Sequence, residues 1–169
     1  MTAVAKRWII YCVVIFTQII VNNYVNLGPM VYICLLPLLI AYLPLEQPAW
    51  LSMLEAFAMG LAVDLLSDGV MGLNAGAAVL TAVVARPLFY PIFNKNNYSK
   101  KFIPSMGESS LWVHLRYFGL ILIVYFAFYI SFDGLTARTF VTSLSRLAFD
   151  VLTSLAVILL VDWSLFNNR

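Results

Sequence analysis

Six apolar runs of 17 to 25 residues occupy positions 8–25, 28–45, 50–66, 72–93, 111–132 and 139–163. A helix crossing the hydrocarbon core of a bilayer needs about 20 predominantly apolar residues, so this recurrence constrains the fold more than any other feature. The 169-residue chain is 63% hydrophobic and 11% charged, with a mean hydropathy of +0.92. Soluble domains are about 45–50% apolar and about 25% charged, and a soluble fold of this size has too little interior to hide the surplus. The runs are read as helices, because a segment in lipid must satisfy its own backbone polar groups. The expected fold class is an all-α polytopic membrane protein, a single membrane domain over residues 1–169 with six transmembrane helices.

The second run is the least regular. It carries Pro37 and its cleanest apolar core, residues 30–43, is short, so a kinked or re-entrant segment is the alternative to a full span. Charge placement favours the span. Lys6 and Arg7 precede the first run, Lys95, Lys100 and Lys101 lie between the fourth and fifth, and Arg169 ends the chain, whereas residues 22–27 and 67–71 hold no Lys or Arg. With six crossings every basic connection except the one holding Arg138 falls on one side, which the positive-inside rule makes cytoplasmic. Both termini are then cytoplasmic. The first run is too long for a signal-peptide core and no small-residue cleavage site follows it, so it reads as a retained span. Residues 94–110 form the one long connection, either a linker whose lysines lie against anionic headgroups or a contact loop for another protein.

Ionisable side chains inside spans are expensive and mark candidate sites. Among them here are Glu55, Asp64, Arg86, Arg146 and Asp150. Counting back from the turn at residues 67–71 puts Glu55 and Arg86 at similar depth, so a helix-clamping ion pair is expected in preference to a proton or substrate role. Arg146 and Asp150 are four apart on one helical face, able to pair with each other or to reach another helix, and that face should point inward. Small or acidic residues recur at every fourth position of the third run, at Ser52, Ala56, Gly60, Asp64 and Asp68, and Gly72 and Gly76 form a G-x-x-x-G in the fourth. Helices in lipid associate through close backbone approach, so these two are expected to pack tightly. Asp64 and Asp68 are expected to organise the turn by accepting backbone N–H bonds rather than to bind a cation.

No metalloprotease, nucleophile-elbow or phosphate-loop motif occurs. His114, the single histidine, falls at the head of the fifth run and reads as polar edge; Cys12 and Cys34 sit in apolar runs as small hydrophobes. A catalytic set cannot be assembled from these residues, so neither enzymatic activity nor a cofactor or metal is expected.

Residues 57–75 read Phe-Ala-Met-Gly-Leu-Ala-Val-Asp-Leu-Leu-Ser-Asp-Gly-Val-Met-Gly-Leu-Asn-Ala. A Gly, three residues, Asp-Leu-Leu, a small polar turn and then Met-Gly-Leu-Asn-Ala resembles the most recognisable stretch of the MreD family of rod-shape-determining proteins. Leu36-Pro37 and Ala85-Arg86-Pro87 resemble one branch of that family. The resemblance is specific over residues 28–87 and generic elsewhere. It implies a multi-pass subunit of the bacterial inner membrane that binds the single-span protein MreC. Through MreC it would reach the actin-like MreB and the elongation-specific glycan polymerase and transpeptidase, and so help control cell shape and peptidoglycan synthesis. Its partners would be proteins and membrane lipid, with no nucleic acid. The resemblance also implies a fold related to the substrate-binding subunits of energy-coupling-factor vitamin transporters. That kinship supplies the rival reading, a substrate-capture subunit with an enclosed polar pocket, for which Asp64, Asn74, Arg146 and Asp150 are the few candidate lining residues.

Overall fold

The structure is a computed structural model that describes residues 3–24, 32–67, 70–93, 111–133 and 140–166. The regular structure among them is helical: α1 (Ala3–Tyr24), α2 (Leu36–Ala41), α3 (Ala49–Leu66), α4 (Leu73–Ile92), α5 (Leu111–Asp133) and α6 (Phe140–Phe166). Residues 49–66, 73–92 and 112–132 are long and apolar enough to cross a membrane. At 1.5 Å per residue α1 and α6 extend about 33 and 40 Å, also a membrane's thickness.

The second apolar run departs from expectation. Within residues 28–45 only the six residues of α2 are α-helical, about 9 Å of helix, preceded by non-helical backbone at residues 32–35; positions 28–31 lie outside the described residues. Pro37 sits in the first turn of α2, where its missing N–H costs nothing. Irregular backbone survives at membrane depth only when protein surrounds it, and here all of α2 is buried.

Contacts at the two ends of the bundle fix the chain direction. Arg7, early in α1, pairs with Glu55 of α3 at 3.5 Å, while Asn22, late in α1, reaches Ser67 just past the end of α3 at 3.3 Å. The two helices therefore run parallel. α4 folds back along α3 and packs most extensively on it. Tyr117, early in α5, meets Phe89 and Phe93 at the end of α4, and Tyr125 reaches Asn74 at its start, so α5 runs antiparallel to α4. Asp150 of α6 meets Tyr32 and, one turn on, Ser154 meets Cys34, so α6 runs in the direction of residues 32–34. The bundle thus has a turn end, near Ser67 and Gly72, and a basic end, near Arg7 and Arg86.

The core lies where α4, α5 and α2 meet, with Leu36, Ile40, Ala78, Phe118, Leu122 and Phe126 at its centre. Large apolar side chains on the outer faces stay exposed, among them Ile9, Val13, Phe16 and Ile20 of α1 and Trp50, Leu54 and Phe57 of α3. Their i, i+4, i+7 spacing is that of one helix face, suited to lipid. The α3 stripe of small residues is the opposite face, with Ser52, Ala56, Gly60 and Asp64 all buried.

Candidate functional site

At the turn end the polar side chains converge. Asp64, in the last turn of α3, accepts four hydrogen bonds from the start of α4: Gly72 N–H at 3.1 Å, Asn74 N–H at 3.1 Å, Ala75 N–H at 2.9 Å and Asn74 Nδ2 at 2.8 Å. The first N–H groups of a helix have no intrahelical acceptor and carry partial positive charge. A carboxylate from the preceding helix supplies both the acceptors and the charge. Gly72 begins this turn with φ +87°, left-handed backbone that glycine adopts without strain. Asp68, expected to share in organising the turn, lies outside the described residues.

The network continues from Asn74. Its Oδ1 accepts the hydroxyls of Tyr125 at 2.5 Å and Tyr32 at 3.3 Å. Asn22 Nδ2 donates to Tyr32 Oη at 3.1 Å, and Gln18 Nε2 donates to Asn22 Oδ1 at 2.6 Å. The donors Gln18, Asn22, Tyr32 and Asn74 therefore point one way along a chain that ends on Asp64, an arrangement in which each bond polarises the next. Aromatic packing holds it, with Tyr129 stacked on Tyr32 at 4.9 Å.

Gln18, with Asp150 and Ser154 of α6, satisfies the non-helical backbone that precedes α2. Gln18, fully buried, accepts from Leu35 N–H at 2.7 Å and donates to Ile33 C=O at 2.9 Å. Asp150 Oδ1 accepts from Tyr32 N–H at 2.7 Å, and Ser154 Oγ accepts from Cys34 N–H at 3.0 Å and donates to Tyr32 C=O at 3.4 Å. Arg146 Nε lies 3.7 Å from the other Asp150 oxygen. Asp150 thus makes both contacts open to it, the pair within its own helix and the reach to another element.

The structure brings Asp64, Asn74, Arg146 and Asp150 into one network through Tyr32, and it separates Glu55 from Arg86. The expected Glu55–Arg86 pair does not form. Glu55 takes Arg7 of α1 as its ion partner and accepts from Gln47 Nε2 at 3.3 Å. Arg86 Nη2 instead donates to the carbonyls of Pro44 and Gln47 and, at 2.9 Å, to Ser52 Oγ. Similar depth along the hairpin is not proximity, because α1 and the connection 42–48 supply nearer partners.

The glycines divide their work differently from the expected G-x-x-x-G contact. Gly60 makes the close approach of α3 to α4: a Cβ there would stand 2.5 Å from Ala75 Cα and 2.8 Å from Asn74 C=O. A Cβ at Gly72 would meet nothing within 4 Å, and one at Gly76 would face the Phe128 ring of α5 at 3.0 Å. His114 is fully buried against Phe118, with ring centroids 4.4 Å apart, and is not the polar edge expected of it. Among the described residues no three His, Cys, Asp or Glu side chains gather as a metal site.

Sequence reasoning missed Gln18, Asn22, Tyr32, Tyr125 and Ser154. The visible signal was the neutral amides Gln18 and Asn22 within or beside an otherwise apolar first run. Comparison of the chain with protein-family models, with curated proteins and with solved structures finds no match.

Proposed function

We propose that this chain is a non-catalytic scaffold subunit of the bacterial cell-elongation complex, similar to MreD. In this reading it crosses the cytoplasmic membrane six times with both termini inside. It binds a single-span protein like MreC, and through it MreB and the elongation-specific glycan polymerase and transpeptidase, so helping to control cell shape and peptidoglycan synthesis. The observation that carries the reading is the construction of the hairpin that resembles that family. Gly60, Asp64, Gly72 and Asn74, all within the family-like stretch, are committed to holding α3 against α4. Residues spent in this way build a rigid surface.

Arg7 and Arg86 lie at one end of the bundle, and under the positive-inside rule that end would be the cytoplasmic one. The rival capture subunit needs polar side chains aimed into a cavity. Asp64, Asn74 and Asp150 point at one another's elements instead. A cleft at the basic end has a volume of only ≈10 Å3, room for about one water. Depletion of the protein in a rod-shaped host tests the proposal: cells should widen and round within a few generations, whereas unchanged rod shape on full depletion would refute it.

A further inference from the structure

Three helices carry tryptophan to the same end of the bundle. Trp8 follows Arg7, which pairs with Glu55 of α3 at the basic end. Trp50 stands in the first turn of α3. Trp112 stands in the first turn of α5, just over one turn before Tyr117, whose ring packs on Phe93 at the close of α4. Tyr90 joins them from α4, one turn beyond Arg86, which bonds Ser52 near the start of α3. All four rings reach the outer surface, with Trp8 49% exposed, Trp50 64%, Tyr90 47% and Trp112 71%. Because α1 packs on α3, α3 on α4 and α4 on α5, they form a row that follows four neighbouring helices. A single partner helix would cover one or two of these helices and leave the other rings bare.

An indole is mostly apolar with one N–H donor, and it settles where hydrocarbon meets headgroups. Arginine reaches the same level by laying its stem along apolar surface and keeping its head in water. The Arg7 guanidinium lies 5.9 Å from the Trp8 ring centre, and Arg116, also exposed, follows Trp112 by one turn. Further along the same helices the exposed faces change character: Val13, Phe16 and Ile20 of α1 and Leu54 and Phe57 of α3 carry no side-chain donor. The distance to the turn end fits as well. From Trp8 to Tyr24, itself 83% exposed, α1 rises about 24 Å, and α3 is about 27 Å long. The hydrocarbon core of a bilayer is about 30 Å thick.

We propose that Trp8, Trp50, Tyr90 and Trp112 form an aromatic girdle that seats the basic end at the headgroup boundary of a bilayer. Seated there, the bundle brings Tyr24 and the Asp64 turn to the opposite boundary, so the girdle sets the depth at which the family-like hairpin emerges. The inference needs a membrane and is independent of the scaffold reading, since its partner is the lipid surface. The test is tryptophan emission from the purified full chain in phosphatidylcholine vesicles whose acyl chains carry bromine either close to the glycerol or close to the methyl end. Bromine quenches on contact. In variants that keep Trp8, Trp50 or Trp112 alone, with the other tryptophans replaced by phenylalanine, bromine close to the glycerol should remove more emission than bromine near the methyl end, and by a similar factor in all three. The wild-type chain should show the same preference, and it serves wherever a variant fails to fold. Stronger quenching by the deep bromine, quenching by neither lipid, or three tryptophans at clearly different depths would overturn the girdle.

Discussion

Asn74 is bound to Asp64 twice, through its backbone N–H at 3.1 Å and its side-chain amide at 2.8 Å, both to the same carboxylate oxygen. The other oxygen holds Gly72 N–H and Ala75 N–H. Two residues thus close the α3–α4 turn and begin the buried network that runs to α1, α5 and α6. Asp64→Ala would leave three backbone donors without their acceptor, two of them, on Asn74 and Ala75, buried. The expected loss is about 3 kcal/mol or more, at roughly 1–3 kcal/mol for each orphaned buried group. Asp64→Asn keeps one acceptor oxygen and should lose clearly less. Unfolding by titration with a denaturing detergent in mixed micelles measures both; equal losses, or a loss below about 1 kcal/mol for the alanine variant, would contradict the capping role.

The three glycines of the hairpin should rank by what surrounds them. Gly60→Ala drives a methyl into the backbone of α4 and should cost about 1–3 kcal/mol or more, because backbone cannot move aside as a side chain can. Gly72→Ala meets no atoms but must hold φ +87°, at about 1–2 kcal/mol. Gly76→Ala pushes only on the Phe128 ring and should cost least. The same unfolding assay gives the order, and a Gly76 variant weaker than the Gly60 variant would contradict the packing.

Much of this architecture is legible in the sequence, for physical reasons that also set the limits. α3, α4 and α5 announce themselves because a lipid-exposed helix must be apolar along its length, and the residues of their apolar runs fall within about a turn of the observed ends. The break at residues 32–35 does not, because hydropathy cannot distinguish a helix from a non-helical strand of backbone wrapped in protein. Its hydrogen-bond partners Gln18, Asp150 and Ser154 lie up to 120 residues away in sequence. For Asp64, the turn chemistry is local and readable; for Glu55 and Arg86, depth along one hairpin says nothing of a third helix that brings Arg7 closer. The G-x-x-x-G spacing identifies a helix face and leaves open which neighbour that face meets.

The parallel run of α1 and α3 has a direct test. With Cys12 and Cys34 replaced, cysteines at positions 22 and 67 should crosslink under mild oxidation, since Asn22 Nδ2 and Ser67 Oγ are 3.3 Å apart. A pair at positions 7 and 67 should not. Crosslinking of the second pair in place of the first would reverse α1 relative to α3.

The proposed assembly of other proteins is tested by affinity purification of the tagged protein from its native membrane in mild detergent, with identification of what accompanies it. A single-span, coiled-coil protein of the MreC type should co-purify in near-stoichiometric amount, and its recovery should fall in Gly60→Leu, whose membrane insertion is checked in parallel. Recovery of a pair of ATPases with a transport-coupling subunit, and no single-span partner, would contradict the scaffold and favour substrate capture.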